Sequence, residues 1–257
     1  MEINKILRFA YNKVKLSFLE SKFEGRLKYI YETNNSDRLI IVFSGFAYKV
    51  PKYNYMRTLR DVSVDKLFIL DDFGCRGSYY WFENGSDRPL NLTKGLISKI
   101  IKDSAGRYRR IYTAGSSKGG TCAIYYGLLF NVDCIFAGAC QYHIGSYLST
   151  EKHRKVLEGM MGKNANRDDV KYLDSVLPDL IDRTNPGKTS LHLLYSKDEI
   201  ENTYQDHMKD LIYDLKTKNF DIHEIEDHYR THDENGIYFS KYLRNYFMSN
   251  EDYIYKQ

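Results

Sequence analysis

The segment from Arg109 to Phe130, RRIYTAGSSKGGTCAIYYGLLF, constrains this chain more than any other stretch. A run with strand character, RIYTAG, leads into Gly115-Ser116-Ser117-Lys118-Gly119-Gly120, and a helix-like run follows at once. A strand that passes directly into a helix over small residues needs a sharp bend, with backbone lying close to its neighbours. A phosphate-binding loop would need G-x-x-x-x-G-K-[ST]. Lys118 precedes the last two glycines, so that spacing fails. A plain Gly/Ser turn and a nucleophile elbow, G-x-S-x-G centred on Ser117, remain. The strand–helix setting favours the elbow, which lifts the Ser117 hydroxyl into a site above a helix N-terminus.

The flanking sequence repeats the same rhythm. LKYIYE from Leu27, RLIIVFSGF from Arg38, DKLFILDD from Asp65 and DCIFAGACQ from Asp133 read as strands, and so do SLHLLYS from Ser190 and FDIHEIED from Phe220. Leu92, Leu96, Ile97, Ile100 and Ile101 keep helical spacing, and NTYQDHMKDLIYDLKTK and NGIYFSKYLRNYFMS read as further helices. Residues 146–188 break the alternation with two helix-like runs and no strand between them. They read as a helical insertion or lid within a single domain spanning 1–257. Strands alternating with helices imply a mostly parallel sheet covered on both faces, with ligands beyond the carboxyl ends of its strands.

A serine hydroxyl needs a base to take its proton. In the α/β-hydrolase order the acid follows a late strand, and the histidine lies between the last strand and the last helix. SKDEIE supplies Asp198, with Glu199 and Glu201 as rivals in the same loop. DHYRTHDENG supplies His228 and His232. His232 lies deeper in the loop, just before the helix, and is the expected base. The backbone N–H of Gly45 or Phe46, after LIIVF, would pair with that of Lys118 as an oxyanion hole.

Composition bounds the partners. The formal net charge of +4 on 257 residues is too small to argue for nucleic acid. It suits an anionic ligand or a loose contact with an anionic membrane surface. Cys75, Cys122, Cys134 and Cys140 show no C-x-x-C and no paired histidine spacing, so no metal site is expected. Their strand and helix settings suggest reduced thiols in the cytoplasm. The N-terminal stretch lacks the long apolar run of a signal peptide, and no run is long enough to span a membrane. Tyrosine is abundant, with 24 residues, several in expected loops: Tyr48, Tyr53, Tyr55, Tyr79 and Tyr80. Exposed aromatics can stack on sugars, although compositional drift accounts for them more simply.

Four stretches in order carry a resemblance to known proteins: FSGF, RGSYY (Arg76 to Tyr80), GSSKGG, and KDE followed by HDENGIYFSKYL. Together they resemble a branch of α/β-hydrolase-fold O-acetyltransferases from bacterial capsule clusters, related to the acetyltransferase of the accessory Sec system. The likeness spans about residues 38–248. It implies Ser117 as nucleophile, Asp198 as acid and His232 as base. It also implies substrate contacts from Arg76, Tyr79, Tyr80 and Gln141, with an acetyl-CoA donor and a polysaccharide or glycan acceptor. A cytoplasmic chain at the periphery of membrane-bound capsule machinery fits that role. An esterase or deacetylase with the same triad is the alternative, as is a non-catalytic component of a capsule or secretion complex.

Overall fold

The computed structural model describes residues 18–46 and 50–254; the start of the chain and Tyr48 lie outside the described residues. One sheet contains β1 (Ser21–Phe23), β2 (Leu27–Glu32), β3 (Arg38–Phe43), β4 (Asp65–Ile69), β5 (Arg110–Ser116), β6 (Cys134–Gly138), β7 (Ser190–Tyr195) and β8 (Asp221–Glu226). Their order is β1-β2-β4-β3-β5-β6-β7-β8. From β4 to β8 across the sheet every pairing is parallel, whereas β1 with β2 and β2 with β4 are antiparallel.

β2 and β3 are neighbours in sequence but do not pair, because β4 lies between them. Asp65, at the start of β4, shows how the intervening turn is held. Its carboxylate accepts the N–H groups of Asn34 at 2.7 Å and Ser36 at 3.1 Å, which carries the chain across the end of β4.

Parallel strands buried on both faces read as unbroken apolar runs. In β3, Leu39, Ile41 and Phe43 enter the core on one face, and Ile40 and Val42 enter the core on the other. The first face is covered by α1 (Arg88–Asp103) and α2 (Lys118–Leu129). α6 (Lys209–Thr217), which continues a π-helical turn at Tyr204–Met208, also lies there. α7 (Asn235–Ile254) covers the second face with Phe239, Leu243 and Phe247. Between β6 and β7 the chain forms three helices, not the two expected: α3 (Ile144–Ser149), α4 (Arg154–Met161) and α5 (Arg167–Arg183). Asn166 starts α5 with a capping box, its side chain accepting the Asp168 N–H at 2.7 Å while Asp169 accepts the Asn166 N–H at 2.8 Å. Among the described residues no helix is long and apolar enough to cross a membrane.

Burial lowers the pKa of His153, His192 and His207 from the usual 6.5 to about 4. Each therefore stays neutral in the fold while its unfolded counterpart takes a proton. Stability from these groups is full above the unfolded pKa and falls as pH drops toward 4. His228, raised by Asp198, opposes with at most one proton. The expected result is a loss of unfolding free energy between pH 6.5 and 5, at up to about 1.4 kcal/mol per pH unit for each net proton. Urea denaturation across that window checks it, and a flat profile would contradict it.

Candidate active site

Six loops at the carboxyl ends of β3 to β8 converge on Ser117. Ser117 follows β5 at once and has φ 52° and ψ −129°, a left-handed conformation that is strained for a residue with a side chain. The glycines around it allow the bend. A Cβ on Gly115 would stand 2.2 Å from the Gly119 carbonyl oxygen, and one on Gly119 would stand 2.7 Å from that of Phe43. The Ser117 N–H donates to the Gly138 carbonyl at 2.7 Å, which ties the elbow to β6. Ser116 faces away and pairs with the Tyr55 hydroxyl.

His232, on a short 3-10 turn after β8, places Nε2 2.8 Å from Ser117 Oγ. Its Nδ1 lies 2.7 Å from Glu199 Oε1. With the proton on Nδ1, the ring donates to Glu199 and presents the Nε2 lone pair to the serine hydroxyl. Thr203 adds a hydroxyl that donates to the same Oε1 and lies 3.2 Å from Nδ1. The Glu199 side chain is fully buried, so water does not compete for its contact with the imidazole.

Asp198, the acid expected from the sequence, stands elsewhere. Its side chain is 56% exposed and holds the 80% exposed His228 at 2.9 Å. The Asp198 N–H donates to Ser196 Oγ at 3.1 Å, a local turn that sends its carboxylate outward and the next residue inward. Glu201 accepts the His232 N–H at 3.0 Å, so it holds the histidine's backbone and not its ring.

Gln141, after β6, donates from Nε2 to Ser117 Oγ at 3.3 Å. Its backbone is clamped to α2 by Thr121, which donates to the Gln141 carbonyl at 2.8 Å and accepts its N–H at 3.0 Å. Lys118 opens α2, and its N–H has no acceptor within the helix by geometry. Gly45 differs from expectation: its N–H donates to Asn54 Oδ1 at 3.2 Å. Of the two residues expected from that loop, Phe46 therefore remains as the oxyanion candidate beside Lys118.

The Lys118 side chain was not legible as a site element. It is fully buried and pairs at 2.6 Å with the equally buried Asp71, from the loop after β4. Asp71 Oδ2 also accepts the N–H groups of Ser78 at 2.8 Å and Tyr80 at 3.2 Å. The ammonium sits 4.7 Å over the Tyr80 ring. This pair bolts the elbow to the 71–80 loop. Asp71→Asn leaves a buried lysine uncompensated, so a loss of about 3–5 kcal/mol in unfolding free energy is expected. A loss below about 1 kcal/mol in urea denaturation, the range of a surface pair, would show that the pair is not structural.

Tyr79 and Tyr80 do not offer sugar-stacking faces. Both have left-handed φ angles that turn the chain inward, and both are completely buried. The Tyr80 hydroxyl accepts the Ser44 N–H at 2.8 Å and donates to the Ile69 carbonyl at 2.8 Å. Tyr79 packs edge-on to Phe46 and lies 3.4 Å from Gln141 Oε1. Arg76 is only partly buried, with its guanidinium 5.3 Å over the Phe46 ring. Tyr147 of α3 and His153, just before α4, stack beside Phe46, so the segment between β6 and β7 reaches the loop after β3.

The strand order, the strained serine after β5, and acid and histidine loops after β7 and β8 are those of the α/β-hydrolase fold. Solved structures share it. The capsule O-acetyltransferase of Neisseria meningitidis serogroup A superposes with a TM-score of 0.75 at 23% identity, covering 89% of this chain and 94% of that one. A histidine-to-alanine mutant of it has also been solved in complex with CoA. The Glycosylation Associate Protein (Gap123) complex of Streptococcus agalactiae matches at TM-score 0.67 and 17% identity, over 85% of this chain and 44% of that one. An acetyl ester-xyloside bifunctional hydrolase from Caldicellulosiruptor lactoaceticus matches at 0.60 and 15%, over 88% of each chain. No family model and no curated protein matches the sequence.

Proposed function

We propose that this protein is a serine-dependent O-acetyltransferase that moves acetyl from acetyl-CoA to a hydroxyl of a surface or capsular glycan. The observation that carries the reading is the connected line Ser117–His232–Glu199, at 2.8 and 2.7 Å, on a strained elbow. The likeness to a capsule O-acetyltransferase supports the choice of donor and acceptor.

In this reading Ser117 Oγ attacks the thioester carbonyl carbon while its proton passes to His232 Nε2. The N–H groups of Lys118 and Phe46 bind the oxyanion, and Gln141 steadies Oγ. The intermediate collapses with cleavage of the C–S bond, and His232 returns the proton to the departing thiolate, giving free CoA and acetyl-Ser117. A glycan hydroxyl then gives its proton to His232, attacks the acetyl carbon and displaces Ser117, which recovers its proton. Glu199 holds the imidazole and stabilises the imidazolium in both steps. Arg76 is suited to a phosphate or carboxylate of either substrate. The α3–α5 segment acts as cover within a single domain, lowering the chance that water reaches the acetyl-enzyme. We read the chain as cytoplasmic, working beside membrane-bound capsule machinery.

Hydrolysis is the competing fate of the same acetyl-enzyme, and the likeness to an acetyl ester hydrolase keeps it as the second reading. Incubation with acetyl-CoA and a panel of capsule polysaccharides, followed by NMR, separates the two. New O-acetyl signals on a glycan are expected. Release of acetate alone, across the whole panel, would make the protein an esterase.

A further inference from the structure

The loops after β7 and β8 each hold a buried polar atom with no hydrogen-bond partner among the described residues, Glu199 Oε2 in the first and the Tyr229 hydroxyl in the second. Neither residue reaches bulk water, at 3% and 1% exposed. One atom is an acceptor without a donor, the other a donor without an acceptor. The contrast within Glu199 is sharp, since Oε1 takes both Thr203 and His232. The two residues belong to loops tied to each other. Ser196 donates to the Tyr229 carbonyl at 2.7 Å, and the Ile200 N–H donates to the Arg230 carbonyl at 3.0 Å. Burial, and after it the nearby Glu199 carboxylate, push the Tyr229 phenol's pKa upward, so it stays a neutral donor. The tyrosine ring packs against Tyr238 at 5.5 Å in the core that holds Leu194 and Phe239, so its hydroxyl cannot turn to solvent.

A buried hydroxyl and a buried carboxylate oxygen each left unmatched are costly, and joining them removes both costs. We propose that Tyr229 is a positioning residue for the triad acid, its hydroxyl donating through one buried water that in turn donates to Glu199 Oε2. The bond fixes the carboxylate's rotation, so that Oε1 stays on His232 Nδ1. It also draws off part of the carboxylate's charge. The inference rests on the triad reading above.

Tyr229→Phe removes the hydroxyl and little else. The expected result is a fall of about tenfold in kcat/KM for a small acetyl ester, the scale of one hydrogen bond to a charged group. The acid limb of the pH profile should move to higher pH, because the carboxylate, freed of a competing donor, holds the imidazolium more tightly. In a Glu199→Gln background the same change should cost nothing further. A Phe variant with the wild-type pH profile and an unchanged or higher Tm, as an unpaired hydroxyl would give, overturns the proposal. Should the Phe variant not fold, 3,5-difluorotyrosine at position 229 strengthens the donor and should move the acid limb to lower pH. An unmoved limb overturns the proposal. Ser117→Ala inactive beside a fully active Tyr229→Phe leaves the triad standing and removes this inference alone. An active Ser117→Ala removes the triad first.

Discussion

Ser117→Ala should lower acetyl transfer by about 10⁶-fold, the loss seen where a serine and its histidine act as one unit. His232→Ala should cost nearly as much, and the double variant little more, because His232 has no proton to take once Oγ is gone. Steady-state turnover of acetyl-CoA with glycan acceptor measures all three. Losses that add across the double variant would mean that the two residues act independently. The 2.8 Å contact would then not be the catalytic bond.

Glu199→Gln should lower turnover by about 10⁴-fold, because the amide favours the imidazole tautomer that places the proton on Nε2 and closes it to Ser117. Asp198→Asn should change turnover less than twofold. Its carboxylate reaches only the exposed His228. The pair of substitutions is informative because the residues are adjacent. A crippled Asp198→Asn beside an active Glu199→Gln would show that the loop between Ser196 and Thr203 takes another conformation in the working enzyme.

The sheet was legible because parallel strands buried on both faces leave apolar runs such as LIIVF, and because the elbow carries its own spacing. Ser117 was expected from the elbow spacing and His232 from its place between the last strand and the last helix, whereas Gln141 was named only through the family resemblance. The acid could not be placed in this way. SKDEIE holds three carboxylates within four residues, and neither periodicity nor spacing says which one faces inward. In the fold Glu199 is buried against His232 while Asp198 stays at the surface with His228. Asp71 was missed for a similar reason. It is one of two adjacent aspartates after β4, and only the folded chain shows that it meets Lys118. Tyr79 and Tyr80 misled because a loop position suggests exposure, whereas their left-handed turn packs both rings under the elbow. Gly45 misled because Asn54, nine residues on, takes its N–H.

The proposed reaction passes through a covalent acetyl-enzyme on the elbow serine. Intact-mass spectrometry of the full chain after brief exposure to acetyl-CoA, without acceptor, followed by peptide mapping, tests it most directly. One acetyl group is expected, located on Ser117, lost on addition of glycan acceptor and absent from Ser117→Ala. An adduct on Ser116, or one that persists in Ser117→Ala, would contradict it.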